Sequence, residues 1–388
     1  RVNVPVAMNT LRRSLLFTGA LSLLMLAGLI LVLLGLHQVG LINFWQFPLK
    51  HVAVFFIFGS VACFLSALVL RLVQRSPKAP HRQSPAKSRH RRRWLSLIIV
   101  VTISINGPAY LLAYHMTHVH VPGTIGIGVP KPSLTAKPSD RGLDYVTHRI
   151  PISDSAWLEA WLVPTPAATA LGTVVLFPGN LGTKSSQLIS PAQTFTSLGY
   201  DCLLVDFQGV GGSSGNTVTI GMKEAQDVVR SLTYAQSIGL SSPTILYGVS
   251  MGSAAILRAI ALENVTPDAV ILELPFARML NAIRSRLRHH HIPAFPTAEL
   301  LLFWGSVQHG INGFGHNPVN FAKSVNCPTL LIHGEQDKWT TVAEIEALFA
   351  NLTASKQLVI SPDGGHHQLI GVDRPLWDAS IANLLGSM

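Results

Sequence analysis

The sequence predicts an α/β fold, an eight-stranded and mostly parallel sheet with helices on both faces, preceded by three transmembrane helices. Two observations predict the membrane helices. The 388-residue chain is 48% hydrophobic and only 12% charged, and its first 139 residues contain three long apolar runs but no acidic residue. A third observation predicts the sheet: from residue 142 onward, short apolar runs alternate with helical patterns, as in parallel sheets covered by helices.

Charge divides the chain at the same point as hydropathy. Residues 1–139 contain 15 Lys and Arg and no Asp or Glu, whereas residues 140–388 contain 14 Lys and Arg against 19 Asp and Glu. The formal net charge of +10 therefore arises in the first part. Because the second part is mildly acidic, the composition argues against a nucleic-acid groove over the whole protein. The high apolar content excludes a disordered chain.

The three apolar runs lie at about 15–36, 52–70 and 94–114. Each is long enough to cross a hydrocarbon core of roughly 30 Å, which requires about 20 helical residues. A soluble helix would have a polar face, and a secretory signal would have a single, shorter apolar core. Residues 1–120 are therefore predicted to be a membrane anchor, with a kink in the third span at Asn106-Gly107-Pro108.

Basic residues beside the spans predict their orientation. The loop 71–93 is strongly basic, whereas the loop between the first two spans has only Lys50. Because Lys and Arg are retained on the cytoplasmic side, the region after the third span is predicted to be non-cytoplasmic, either periplasmic or extracellular. The basic run 89–93 would also suit nucleic acid. A position beside the membrane, where it would hold anionic lipids, requires no further assumption.

Residues 121–141 are predicted to be an extended linker, because Pro, Gly, Ser and Lys are frequent there. The glycines of this segment follow no strand and have no acidic residue at the distance that a dinucleotide-binding loop requires, so such a site is rejected. The sequence begins with Arg1 rather than Met, and Met8 is a candidate start.

Residues 142–388 are predicted to form one α/β domain, which is long enough to enclose a large core. Its strand candidates are 143–152, 157–163, 173–177, 202–206, 244–248, 269–273, 329–333 and 357–360. Its helix candidates are 185–198, 222–238, 251–262, 342–352 and 373–385.

The pentapeptide Gly248-Val249-Ser250-Met251-Gly252 follows a strand candidate and begins a helix candidate, which is the context of a G-x-S-x-G elbow. So sharp a turn strains the serine backbone and exposes the hydroxyl at the top of the sheet. Residues 248 and 252 must be small, because side chains there would collide. Ser250 is therefore the predicted nucleophile, and the backbone N–H of Met251 is a predicted oxyanion donor.

A serine hydroxyl is a weak nucleophile, so it requires a base, and the base requires a carboxylate that orients it. After such an elbow, the acid and then the histidine follow the serine in chain order. Asp337 follows a strand candidate and is the predicted acid, with Glu335 and Glu273 as alternatives. His366 lies in a glycine-containing loop after the last strand candidate and is the predicted base, with His367 as second choice.

A second oxyanion donor is expected in the loop after the third strand candidate. The tetrapeptide Phe177-Pro178-Gly179-Asn180 lies there, where Gly179 allows close backbone approach and Asn180 offers its N–H. Each such donor contributes roughly 3 to 4 kcal/mol of transition-state stabilisation. This chemistry requires no metal and no organic cofactor, so none is expected.

With these motifs in this order, the chain resembles the α/β-hydrolases, and within them the membrane-anchored serine hydrolases of the abhydrolase-domain type. The resemblance covers about residues 142–388. Residues 206–215 resemble the family's D-x-R-G-x-G-x-S-x-G loop, whose role is structural. Gln208 stands where an Arg is usual, and Pro178 stands where a His often precedes the oxyanion glycine. The resemblance implies an α/β-hydrolase fold and a Ser-Asp-His triad.

Residues 275–324 form an insertion before the acid-bearing strand, where relatives carry a lid. The residues that make it both basic and apolar are Arg284, Arg286, Arg288, 289–291 and 300–304. A lid of this character could admit an amphiphilic acyl substrate at a membrane surface, and the alternative is an ordinary cap helix. The histidines at 289–291, and those at 115, 118 and 120, have no Cys or carboxylate at a familiar metal-site spacing, so no metal site is assigned.

The sequence therefore predicts a membrane-anchored serine hydrolase that cleaves ester or thioester bonds of lipid or acyl substrates through an acyl-enzyme. Two alternatives remain: a serine peptidase or amidase of the same fold, and a non-catalytic membrane scaffold. The expected partners are a small acyl ester or lipid and the membrane lipids, with no nucleic acid.

Overall fold

The structure, a computed structural model, describes residues 102–120 and 127–388. The chain divides into two compact units, Arg1–Leu112 and Ala113–Met388. None of the helices in the described ranges combines the length and the apolar character needed to cross a membrane. Residues 1–101 of the predicted anchor lie outside the described residues; they include the spans 15–36 and 52–70, the loop 71–93 and the first residues of the span 94–114.

An eight-stranded sheet forms the centre of the second unit, and a short parallel pair of strands precedes it. The pair consists of β1 (Val119–His120) and β2 (Val129–Pro130). The strands of the large sheet are β3 (Val146–Ser153), β4 (Ala156–Val163), β5 (Gly172–Phe177), β6 (Tyr200–Val205), β7 (Thr244–Val249), β8 (Ala269–Glu273), β9 (Thr329–Gly334) and β10 (Lys356–Ser361).

Nine helices occur in the described ranges, apart from single turns of 3-10 or π type. They are α1 (residues 102–117), α2 (Ile189–Ser197), α3 (Glu224–Ser237), α4 (Met251–Glu263), α5 (Met279–His289), α6 (Thr297–His309), α7 (Pro318–Phe321), α8 (Val342–Asn351) and α9 (Arg374–Gly386).

The strand order across the large sheet is β10-β9-β8-β7-β5-β6-β4-β3. The pairs β3/β4 and β4/β6 are antiparallel, and all other neighbours are parallel. The chain reverses its progression at β5, which lies between β6 and β7. At such a switch point, the loops that follow neighbouring strands separate and leave a crevice at the carboxyl ends of those strands. The predicted nucleophile and oxyanion loop follow β7 and β5, so they meet at this crevice.

Both faces of the sheet are covered by apolar side chains. All six residues of β5 are buried: Val175 and Phe177 pack into one cluster, and Val174 and Leu176 pack into the other. Helices α3, α4 and α8 contribute to the first cluster, and α2 and α9 contribute to the second. Because successive side chains of a strand point to opposite faces, the unbroken apolar character of β5 is explained by cover on both sides.

The predicted eight-stranded sheet is confirmed, with shifts of up to three residues at the strand ends. The largest shift is in β3, which begins at Val146 rather than at 143. The reason is a 3-10 turn at Pro138–Arg141, after which the Leu143 N–H donates to the carbonyl of Pro138 at 3.1 Å. The helix predicted at 185–198 begins as a π-helical turn over Lys184–Leu188 and continues as α2.

The segment predicted as a linker is partly attached to the sheet unit. Residues 121–126 lie outside the described residues. Further along, the backbone N–H groups of Thr135 and Ala136 donate to Ser185 Oγ at 2.9 and 2.7 Å. These hydrogen bonds hold the stretch against the start of the α2 region.

Candidate active site

The turn between β7 and α4 has the strained geometry of an elbow. Ser250 has φ 50° and ψ −104°, a region that residues other than glycine rarely adopt. A Cβ at Gly248 would lie 2.6 Å from the carbonyl carbon of Gly252, and a Cβ at Gly252 would lie 2.6 Å from the carbonyl oxygen of Phe177. The packing therefore excludes a side chain at both positions, which is the physical reason for the two glycines.

Ser250, His366 and Asp337 meet above the carboxyl ends of three strands. Ser250 Oγ lies 3.0 Å from His366 Nε2, and His366 Nδ1 lies 2.6 Å from Asp337 Oδ2. Ser250 follows β7, Asp337 follows β9 and His366 follows β10, so the parallel sheet gathers them from distant parts of the chain. When Nδ1–H donates to the carboxylate, Nε2 keeps a lone pair that accepts the Ser250 hydroxyl hydrogen. Ser250 is 8% exposed.

The environment of Asp337 keeps its carboxylate ionised. Oδ1 accepts hydrogen bonds from the backbone N–H groups of Trp339 at 2.7 Å and Thr340 at 3.2 Å. Burial alone would raise the pKa of Asp337, but the hydrogen bond and the charge of His366, together with the Trp339 N–H, hold this pKa below its usual value. An ionised carboxylate orients the imidazole and stabilises the imidazolium that forms when the serine loses its proton.

The alternative candidates for the acid and the base lie elsewhere. Glu335 and His367 are exposed. Glu273 is fully buried at the end of β8, where its carboxylate accepts hydrogen bonds from the Tyr247 hydroxyl, the Trp377 indole N–H and the Leu369 N–H. Asp337 and His366 are the predicted acid and base that the structure brings to Ser250.

Glu273 has a positioning role that the sequence did not indicate. Burial raises its pKa, while the donors from Tyr247, Leu369 and Trp377 oppose that effect. Leu369 follows His366 by three residues, so Glu273 anchors the loop that carries the base. The backbone carbonyl of Glu273 also accepts the Ser250 N–H at 2.7 Å. One buried residue therefore contacts both the elbow and the histidine loop.

The loop after β5 lies against the elbow. Phe177 pairs with Gly248 in the sheet, and a Cβ built on Gly179 would lie 3.5 Å from Ser250 Cβ. The Gly179 N–H donates to Gln187 Oε1 at 2.7 Å, so the fold itself uses this amide. Asn180, the next residue, is exposed. Gln187 was not singled out from the sequence, because a glutamine in a helical pattern carries no signal of this contact.

A buried ion cluster fixes the segment that follows this loop. The fully buried ammonium of Lys184 contacts Asp206 and lies 2.8 Å from Glu159. Burial raises the pKa of Asp206, and the charge and hydrogen bonds of Lys184 oppose this effect. Asp206 also accepts the backbone N–H of Lys184 at 2.7 Å. No sequence signal marks Lys184, since lysines are almost never fully buried unless they are paired.

Gln208 occupies the position where the resembled family usually has an Arg. Its backbone N–H and side-chain amide donate to the two carboxylate oxygens of Asp227, at 3.1 and 3.0 Å. Burial raises the pKa of Asp227 to about 6, and the donors from Gln208 oppose this effect. Gln208 thus ties the 206–215 loop to α3, in agreement with the structural role expected of this loop.

The insertion at 275–324 contains two main helices, α5 and α6, that the sequence pattern did not delimit. An ion pair between Arg284 and Glu299 joins them, and Asn281 Nδ2 donates to Glu344 Oε1 at 2.9 Å. The insertion therefore contacts α8, the helix that follows Asp337 in the chain. Within 102–120 and 127–388, no group of three or more His, Cys, Asp or Glu is arranged to hold a metal ion.

Comparison with known proteins agrees with this architecture. Residues 168–302, less than half of the chain, match the family described as serine aminopeptidase, S33. The chain is 25% identical over 197 residues to the uncharacterized protein YqkD of Bacillus subtilis, which covers 50% of this chain and 65% of that protein. It is 25% identical over 228 residues to the lysophosphatidylserine lipase ABHD12 of Mus musculus, covering 52% and 55% of the two chains. The match thus spans between about half and two thirds of these relatives.

Among solved structures, the Pyrococcus furiosus esterase Pf2001 superposes with a TM-score of 0.56 at 19% identity, over 70% of this chain and 98% of that one. At this identity the likeness shows the fold alone. The strand order, the elbow after β7 and these matches agree that residues 146–386 adopt an α/β-hydrolase fold.

Proposed function

We propose that this protein is a serine hydrolase that cleaves ester bonds of lipid or acyl substrates through an acyl-enzyme. Ser250 is the nucleophile, His366 the general base and acid, and Asp337 the group that orients the imidazole. The observation that carries the proposal is the continuous hydrogen-bond chain from Ser250 Oγ to His366 Nε2 and from His366 Nδ1 to Asp337 Oδ2. The matched lysophosphatidylserine lipase supports an ester substrate with an acyl chain.

The reaction proceeds in two acyl transfers. Ser250 Oγ attacks the substrate carbonyl carbon while its proton moves to His366 Nε2, and the oxyanion that forms is held by the N–H groups of Asn180 and Met251. The imidazolium then gives its proton to the leaving oxygen, which breaks the ester bond and leaves an acyl group on Ser250. A water molecule, deprotonated by His366, repeats the sequence and releases the acid.

Covalent labelling tests the proposed nucleophile. A fluorophosphonate probe is expected to modify the wild-type protein. Ser250→Ala should lose the label completely, because among the described residues no other hydroxyl is hydrogen-bonded to an imidazole that is itself paired with a carboxylate. Ser253→Ala is the matched control, since Ser253 lies on the same helix but donates to backbone carbonyls. Labelling that persists in Ser250→Ala would place the nucleophile at another residue, and a wild type that is never labelled would favour the non-catalytic scaffold.

A peptidase or amidase is the second candidate, because the matched family is described as a serine aminopeptidase. An ester, a thioester and an amide that share one acyl group separate the possibilities when kcat/KM is measured for each. Preference for the ester or thioester is expected. Faster cleavage of an aminoacyl amide would reassign the protein to the second candidate.

We also propose that residues 1–120 anchor the protein in a membrane through spans at about 15–36, 52–70 and 94–114, with the hydrolase domain on the non-cytoplasmic side. The apolar runs and the basic loop 71–93 support this proposal. An alkaline phosphatase fused after Met388 is expected to be active, because that enzyme requires an oxidising, non-cytoplasmic compartment. A cytoplasmic fluorescent reporter that works at the same position, with an inactive phosphatase, would reverse the orientation.

A further inference from the structure

Trp339 packs beside His366, the proposed general base. Its indole ring lies 4.5 Å from the imidazole of His366 between ring centroids, at an interplanar angle of 47°. Its backbone N–H donates to Asp337 Oδ1 at 2.7 Å, which fixes the position of the residue relative to the acid. The side chain is half-buried, so part of the indole borders the space next to the histidine.

Arg286 on α5 packs against the Trp339 ring. Its guanidinium carbon lies 4.4 Å from the centroid of the Trp339 ring, and one N–H donates to the carbonyl of Ala282 at 3.1 Å. Its neighbour Arg284 forms an ion pair with Glu299. In contrast, no carboxylate within 102–120 and 127–388 comes within ion-pair distance of Arg286.

This cation is partly withdrawn from water, and the described residues offer it no ion pair, only the more distant charge of Asp337. Burial lowers the pKa of Arg286, and the negative charge of Asp337 opposes that effect. Withdrawing a charge from water costs free energy unless an opposite charge or hydrogen-bond acceptors compensate for it. A planar guanidinium with free donors is suited to bind a carboxylate or a phosphate through two parallel hydrogen bonds.

The role of His366 in proton transfer identifies which half of the substrate would contact Trp339 and Arg286. His366 must transfer its proton to the leaving oxygen, so that oxygen has to lie within hydrogen-bond reach of Nε2. The acyl carbon, in contrast, is bonded to Ser250 and faces the oxyanion donors. Trp339, which contacts the imidazole, therefore borders the leaving-group side, and Arg286 lies next to it, against the Trp339 ring.

We infer that Arg286 and Trp339 form a leaving-group subsite, and that Arg286 selects esters whose alcohol portion carries an anionic group, a carboxylate or a phosphate. The inference rests on the proposed function. Trp339 supplies a flat apolar surface for the body of the leaving group, and the Arg286 guanidinium binds its negative charge at the far end. Both are specificity-determining residues, and neither takes part in bond making.

Matched substrates with the full-length protein test the subsite. The first pair is 4-(butyryloxy)benzoate and 4-(butyryloxy)benzamide, which place a charged or a neutral group of similar shape on the leaving group. A third substrate, 4-(butyryloxy)phenyl phosphate, places a phosphate on the leaving group and is compared with the same neutral benzamide. The second pair is phenyl hydrogen succinate and phenyl succinamate, which place the same difference on the acyl side. The quantity compared is the ratio of kcat/KM for the charged substrate to that for the neutral one.

Removal of the guanidinium should lower this ratio for the first pair only. In Arg286→Met the ratio is expected to fall by about tenfold to a hundredfold, the usual value of a hydrogen bond to a charged group, chiefly through KM. Arg286→Lys should retain part of the preference. Arg288→Met, an exposed cation on the same helix, should leave the ratio unchanged. The relative size of the benzoate and phosphate ratios tells which anion the site prefers.

A measurement on the wild type alone provides a second test of the subsite. Because salt screens ion pairs that are partly exposed, the preference of the wild type for the anionic member of the first pair should weaken as sodium chloride is raised. An active enzyme whose ratio is the same in Arg286→Met and wild type, or in which the change follows the acyl-side pair, would overturn the subsite alone. A wild type that hydrolyses no ester and takes no fluorophosphonate label would overturn the proposed function together with it.

Discussion

The two adjacent histidines after β10 have different environments, although they are equivalent in the sequence. His366 bridges Ser250 and Asp337, whereas His367 is exposed. His366→Ala is expected to lower kcat by roughly 10⁵ to 10⁶-fold, as the loss of a triad member does in serine hydrolases. His367→Ala should leave kcat close to that of the wild type. Steady-state kinetics on a chromogenic ester measures both, and a larger loss in His367→Ala would move the base by one position.

The acid can be tested in the same way. Asp337→Asn keeps the shape of the side chain but can no longer fix the imidazole tautomer with Nδ1 protonated, so kcat is expected to fall by about 10⁴-fold. Glu335→Gln, two residues earlier and exposed, is the matched control and should retain full activity. Equal activity of Asp337→Asn and the wild type would show that a different carboxylate orients the histidine.

At the scale of the element, the elbow depends on close contact between β7, α4 and the end of β5. A Cβ at Gly248 would lie 2.6 Å from the backbone of Gly252, so Gly248→Ala must displace the turn. Overpacking of this kind costs about 1 to 3 kcal/mol, and the displaced Ser250 should lose its fluorophosphonate label.

Gly305 in α6 is the control for this substitution, because a Cβ there would meet no atom within 4 Å. Gly305→Ala is expected to raise the free energy of unfolding by up to about 1 kcal/mol through helix propensity, with labelling intact. Denaturant unfolding monitored by circular dichroism compares the two variants. A stabilised and fully labelled Gly248→Ala would contradict the steric explanation of the elbow.

At the scale of the whole molecule, a buried histidine makes stability depend on pH. His316 is fully buried between Phe276 and Phe321, and its Nε2–H donates to the Ile220 carbonyl at 3.0 Å. Burial, reinforced by the charge of Arg258, lowers its pKa from 6.5 to about 3. Between these two values the unfolded chain binds a proton that the folded chain does not bind, so stability falls as the pH is lowered from about 6.5.

The contribution of His316 can be isolated with one substitution. His316→Gln retains a side-chain N–H donor but does not titrate. Between pH 6.5 and 4.5, the wild type should lose about 2 kcal/mol more of its free energy of unfolding than this variant loses. Urea unfolding followed by tryptophan fluorescence at the two pH values gives this difference. Identical pH dependence in both proteins would mean that His316 takes up a proton as readily in the folded state as in the unfolded state.

The sequence alone determined the class of fold and the order of the chemical groups. Strands fully buried on both faces are continuous apolar runs, so β5, β7 and β8 could be located almost to the residue. The G-x-S-x-G turn was recognisable because its steric requirements are local, within five consecutive residues. Chain order then limited the acid and the base to a few candidates after the last strands.

Only the tertiary structure decided which candidates meet. The loop conformations after β9 and β10 place Asp337 rather than Glu335, and His366 rather than His367, at Ser250. These conformations depend on contacts with distant parts of the chain. The same reason explains why Lys184, Gln187 and Trp339 were missed, and why Arg286, noted only as one of the basic residues of the insertion, was not matched with Trp339. Their roles arise from partners that are far away in the sequence, and no periodicity or short motif encodes a contact of that kind.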